Sequence, residues 1–69
     1  MLQDLSEFCM LERQKQGLSQ KEVSKRSGVS ASTIGGFERG QFVPNIYTVE
    51  CIIEALGYEL QVMKKEGRK

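Results

Sequence analysis

Residues 20–40 read QKEVSKRSGVSASTIGGFERG, and this stretch decides how the rest of the chain is understood. Ser19 is a good helix N-cap, and Glu22 stands three residues on, where it completes a capping box. A first short helix over Gln20–Ser27 follows from that pair. Gly28 then falls where a helix ends, because only glycine enters the left-handed region without steric cost. Val29 supplies an apolar plug for the turn. Ser30 caps a second helix running to about Arg39, and Gly40 closes it.

Val23, Val29, Ile34 and Phe37 are spaced so that the two helices bury one side against each other. Ser30, Ala31, Ser32, Thr33 and Gly36 are left on the outward side of the second helix, near its start. A helix pair with a glycine turn and a free outer face on its second helix is what insertion into a DNA major groove requires. The arrangement is a helix-turn-helix.

Sixty-nine residues are enough for one domain, near the lower size at which a single core suffices. Hydrophobic content of 39%, one proline and no tryptophan suit a small helical bundle. No apolar run approaches the roughly 20 residues of a membrane span, and the start, MLQDLSEF, lacks the basic region and cleavage site of a secretory signal. A cytoplasmic location is the expectation. Cys9 and Cys51 lie in apolar helical stretches and read as buried, reduced thiols. A Cys9–Cys51 disulfide is the alternative, opposed by a reducing compartment. With no histidine and no CxxC pair, neither a zinc site nor any other cofactor is expected.

Net charge is only +1, but the charges are segregated. Asp4, Glu7 and Glu12 make the first segment acidic. Residues 13–39 hold Arg13, Lys15, Lys21, Lys25, Arg26 and Arg39 against Glu22 and Glu38. Glu50, Glu54 and Glu59 make the next segment acidic, and Lys64, Lys65, Arg68 and Lys69 outweigh Glu66 in the tail. Positive charge thus gathers on the helix pair, as it does on a surface with one phosphate-facing side. A plain solvated charge mixture is the competing account.

Around this centre, a first helix is expected from about Leu2 to Gln16, with Leu5, Phe8, Cys9 and Leu11 as its core stripe and Gly17 ending it. After the loop Gln41–Pro44, Asn45 caps a helix from Ile46 to about Leu56, whose Ile46, Val49, Ile52, Ile53 and Leu56 form another apolar face. Gly57 stops it. The period then changes: Tyr58, Leu60 and Val62 alternate with polar neighbours, as in a half-buried strand. A lone strand lacks backbone partners, and pairing with the same strand of a second copy supplies them. An extra helical turn, or an extended arm lying on its own core, remains open. The predicted fold is therefore all-α, a four- to five-helix bundle (1–57), with a C-terminal strand (58–63) that pairs across a dimer and a disordered basic tail (64–69).

RQKQGLSQKEVSKRSGVSASTIGGFERG, followed by Pro44 and TVECIIEALG, resembles the Cro/repressor-type helix-turn-helix family, also called the XRE family. Arg13, Gly17 to Gln20, Gly28 to Ser30, Ile34, Glu38, Gly40, Pro44 and Ala55 to Gly57 carry the likeness, which spans about residues 5–57. It implies a lambda-repressor-like bundle and a homodimeric, double-stranded DNA-binding transcriptional regulator, a repressor or autoregulator. It also implies an ion pair between Arg13 and Glu38 that positions the recognition helix. Gln20 matches a position that reaches a DNA phosphate, and Arg39, Gln41 and Asn45 match backbone-gripping positions. The base-reading positions of the family fall on Ala31, Ser32 and Gly36, with Ser30 and Thr33 nearer the phosphates.

There the sequence departs from the pattern. Arg, Lys, Asn and Gln are the good bidentate readers of bases, and none stands at those positions. Three readings stay open. Small residues let the backbone enter the groove closely, with Ala31 on a thymine methyl; or specificity rests on phosphate geometry and DNA deformability; or DNA binding has decayed and the domain associates with protein. The short domain with its LGYELQV-like end also looks like antitoxins of toxin–antitoxin operons, which implies a partner toxin as an alternative. An enzyme is not expected: the chain has no histidine, no paired carboxylates in a plausible cleft, no phosphate-cradling glycine loop and no activated nucleophile.

Overall fold

The computed structural model describes residues 2–61 together with Met63 and Lys64, with side chains from Leu5 onward. Four helices follow one another: α1 (Leu2–Lys15), α2 (Gln20–Ser27), α3 (Ala31–Glu38) and α4 (Ile46–Ala55). Their boundaries come from local chemistry. Ser19 and Glu22 close a reciprocal capping box, with Glu22 N–H donating to Ser19 Oγ at 3.0 Å and Ser19 N–H to Glu22 Oε1 at 2.8 Å. Ser30 Oγ accepts from Thr33 N–H, and Asn45 Oδ1 from Thr48 N–H. At the far ends, Gly17, Gly40 and Gly57 each adopt positive φ and reverse the chain. In each case the next residue donates back five positions: Leu18 to Arg13, Gln41 to Gly36 and Tyr58 to Ile53. These paired reversals satisfy carbonyls that a helix end otherwise leaves open.

The core is built from one face of every helix. Cys9 of α1, Val23 of α2, Ile34 and Phe37 of α3, and Val49, Ile52 and Ile53 of α4 are buried with Leu56, and Leu5, Leu18, Val29, Ala55 and Leu60 pack against them. Burial raises the Cys9 thiol to about 11, with the Glu38 carboxylate adding to the effect. Both cysteines are free, Cys9 buried and Cys51 half-buried.

Three core expectations are corrected. Leu11 is 52% exposed, because the inward stripe of α1 runs Leu5, Cys9, Arg13 and a side chain two residues from Cys9 lies on the opposite side. Phe8, on the flank of that stripe, is partly exposed, and Ile46, in the first turn of α4, is exposed.

The C-terminal strand is also corrected. No strand occurs among the described residues; 58–61 is an irregular arm that folds back on the chain's own α1. Tyr58 sets its ring edge-on to Phe8, centroids 5.1 Å apart, and donates its hydroxyl to Glu12 Oε2 at 3.0 Å. That bond to an anion raises the Tyr58 phenol above its ordinary value. Gln16 Nε2 reaches the Leu56 carbonyl at 2.9 Å, tying the end of α4 to α1. The alternation of Tyr58 and Leu60 places Tyr58 on this chain's own α1 and Leu60 against its core. Val62 and the tail from residue 65 on lie outside the described residues.

Candidate functional site

One carboxylate holds the helix pair in place. Glu38, at the end of α3, accepts from Arg13 Nε at 2.7 Å and Arg13 Nη2 at 2.9 Å, both from α1, and from Gln20 Nε2 at 3.0 Å, from α2. The two side chains of the ion pair are only 13% and 5% exposed. Arg13 Nη1 also donates to the Leu18 carbonyl at 2.8 Å, so the guanidinium fixes the turn between α1 and α2 as well. A planar fork matched to a carboxylate sets angle as well as distance. The bond to Glu38 raises the Arg13 guanidinium above its already high value. Three helices are thus pinned at one point.

Gln20 therefore has a second role besides the outward one its position suggests. Its amide nitrogen faces Glu38, the only orientation compatible with an acceptor-only carboxylate, and its oxygen lies over α3. A Cβ on Gly35 would come within 3.2 Å of Gln20 Oε1 and 3.0 Å of Arg39 Nη1. Gly35 is the opening that lets both side chains lie across the helix. Arg39 Nη2 in turn donates to Gln41 Oε1 at 3.0 Å. Gln20, Arg39 and Gln41 form one polar ridge beside α3. Asn45 stands apart from it, its carbonyl oxygen serving as the cap of α4.

The outer edge of α3 is open at its start. Ser30 and Ser32 are exposed, and Ala31 and Thr33 are half-buried. Ser30 Oγ donates to Thr33 Oγ1 at 2.9 Å, a bond that stays within the first turn. Four residues on from Ser32 the picture changes. Gly36 is buried, and a Cβ there would stand 2.3 Å from Phe42 Cε2 and 2.8 Å from Phe42 Cζ. The expectation that Gly36 lies bare on the outward side is corrected: the ring of Phe42 covers it. By sequence alone Phe42 reads as a loop residue. Its signal was an aromatic two residues beyond a helix-ending glycine, with glycines at 35 and 36 leaving space for it.

Lys21, Lys25 and Arg26 on α2 are exposed, as is Arg39 just beyond α3. Glu22 is the acidic exception, and its carboxyl lies below the usual range because the backbone N–H of Ser19, and then its hydroxyl, bond the charged form. Among the described residues no group of acidic, cysteine or histidine side chains could hold a metal ion, and no helix is long and apolar enough to cross a membrane.

Comparison with known proteins agrees with this geometry. Residues 10–63 match the family described as Helix-turn-helix. The chain is 42% identical over 52 residues to an uncharacterised HTH-type transcriptional regulator, y4dJ, of Sinorhizobium fredii, covering 75% of this chain and 66% of that protein. It is 33% identical over 61 residues to an uncharacterised HTH-type transcriptional regulator of Methanothermobacter thermautotrophicus, covering 83% of this chain and 88% of that one. No solved structure matches significantly. On this match and these identities, the chain belongs to the XRE-type helix-turn-helix family.

Proposed function

We propose that this chain is a sequence-preferring double-stranded DNA-binding transcriptional regulator, a repressor or autoregulator, that inserts α3 into the major groove. The observation that carries the reading is the contrast on α3 itself: an exposed first turn on a helix whose last turn is held to α1 and α2 through Glu38. A helix fixed at one end presents the other without freedom to lose on binding.

The contacts divide by chemistry. Ser32 and Ala31 meet base edges, with Ala31 suited to a thymine methyl, while Ser30 and Thr33 lie nearer the backbone. An amide nitrogen carries two donors; Gln20 uses one on Glu38, and the other, with the Arg39 guanidinium, serves a phosphate. The N-terminal end of α2, where the helix dipole is positive, favours the same anion. Two copies bind half-sites about one helical turn, roughly 34 Å, apart. The exposed Val43, Ile46 and Tyr47 offer an apolar surface for the second copy, in place of the C-terminal arm.

The test is a salt titration of binding to a duplex selected from a random pool. A dimer making several phosphate contacts loses on the order of a thousandfold in affinity between about 50 and 200 mM salt, and the selected site is two-fold symmetric. No measurable duplex binding at low salt removes the proposal.

A further inference from the structure

Gly36 stands one turn beyond Ser32 on the same side of α3, since residues four apart share a face. It contributes no side chain, yet the surface above it is not bare. Phe42 lies there, with Cε2, Cζ and Cδ2 at 2.3, 2.8 and 3.2 Å from the place a Cβ would occupy. The ring is brought back by the turn at the end of α3. Gly40 takes a φ of 72°, its N–H bonds to the Phe37 carbonyl at 3.0 Å, and the Gln41 N–H bonds to the Gly36 carbonyl itself at 2.9 Å. Gln41 is thus fastened directly to the glycine, and the next residue is delivered over it. Phe42 remains 46% exposed, so one side of the ring packs on the helix and the rest faces outward.

We infer that Phe42 is a specificity-determining residue, a ring supplied from the loop that occupies the space above Gly36 and reads the 5-methyl group of a thymine in the major groove. The inference rests on the DNA-binding reading above. Each part follows from chemistry. A phenyl ring has no donor or acceptor to match a guanine, cytosine or adenine edge, whereas the thymine methyl is the one apolar group displayed in the major groove. A ring seated against glycine loses little rotational freedom on binding, because the helix backbone and the turn already hold it. The absence of Arg, Lys, Asn and Gln readers on α3 is then complemented by an apolar reader that comes from outside the helix.

The experiment uses the duplex selected from a random pool and replaces its thymines one at a time with uracil, which deletes only the methyl. The full chain is expected to lose about fourfold in affinity at one position in each half-site besides any that faces Ala31, the equivalent of one buried methyl group. Phe42→Ala is expected to bind the thymine and uracil duplexes equally at that position. Phe42→Leu, still apolar, keeps a preference for thymine. Gly36→Ala forces the ring off the helix and loses the preference as Phe42→Ala does. If Phe42→Ala retains the parent's thymine-to-uracil ratio at every position while duplex binding is intact, the inference fails alone. If no position distinguishes thymine from uracil in the parent, it also fails. If the parent binds no duplex at all, the functional reading and this inference fall together.

Discussion

The two halves of α3 are built in opposite ways. Its last turn is enclosed: Gly35 lies beneath Gln20 and Arg39, Gly36 beneath Phe42, Phe37 sits in the core, and Glu38 bonds two other helices. Its first turn carries the local side-chain bonds of Ser30 to Thr33, and Ser30 and Ser32 stand in solvent. The helix is clamped at one end and free at the other. A recognition element has to leave its reading edge unpartnered, and its stability then has to come from the end that does not read.

That contrast can be broken at either end. The largest effect is expected from Glu38→Ala, which leaves the nearly buried Arg13 without its carboxylate and releases Gln20. Removing one partner of such a pair costs about 3 kcal/mol, readable as a lowered urea midpoint. A variant within about 1 kcal/mol of the parent would mean that the clamp is ornamental and that packing of Ile34 and Phe37 alone sets the helix. The smaller effect is expected at the free end. Ser30→Ala deletes the cap of α3 and costs about 1 kcal/mol, measured in the same unfolding series. If the Ser30 variant proved the more damaging of the two, the clamped and free ends would have to be exchanged.

Much of this architecture was legible because it is written in caps and stops. Ser19 with Glu22, Ser30, Asn45 and the glycines at 17, 28, 40 and 57 are local signals, and the helices begin and end within a residue or so of where those signals put them. Periodicity was less reliable where the element was short. Tyr58, Leu60 and Val62 alternate as a strand does, but so short an alternation equally describes an arm, and the structure sets Tyr58 on Phe8 and Leu60 against the core. In α1 the apolar residues Phe8 and Leu11 outnumber the inward positions, and Ser6 and Arg13 take places on the inner side.

The site was legible by residue type and less so by arrangement. The approach of Arg13 to Glu38 was implied by family resemblance and is present in the structure. The second tie, from Gln20, has no sequence signal, since a glutamine opening a helix is consistent with an inward or an outward amide. The covering of Gly36 by Phe42 is hidden from helical spacing for a related reason. It depends on a chain reversal at Gly40 that returns a residue six positions after Gly36 to lie over it, and helical spacing says nothing about side chains arriving from a loop.

The account stands on which face of the molecule meets DNA. Amide chemical shifts of the chain, followed by NMR as the selected duplex is added, report that face residue by residue. The account predicts the largest changes at Gln20, Ser30 to Thr33, Arg39, Gln41 and Phe42, with the arm from Tyr58 to Gln61 unmoved. Changes concentrated on that arm and on Phe8 and Leu11, with the first turn of α3 silent, would contradict it.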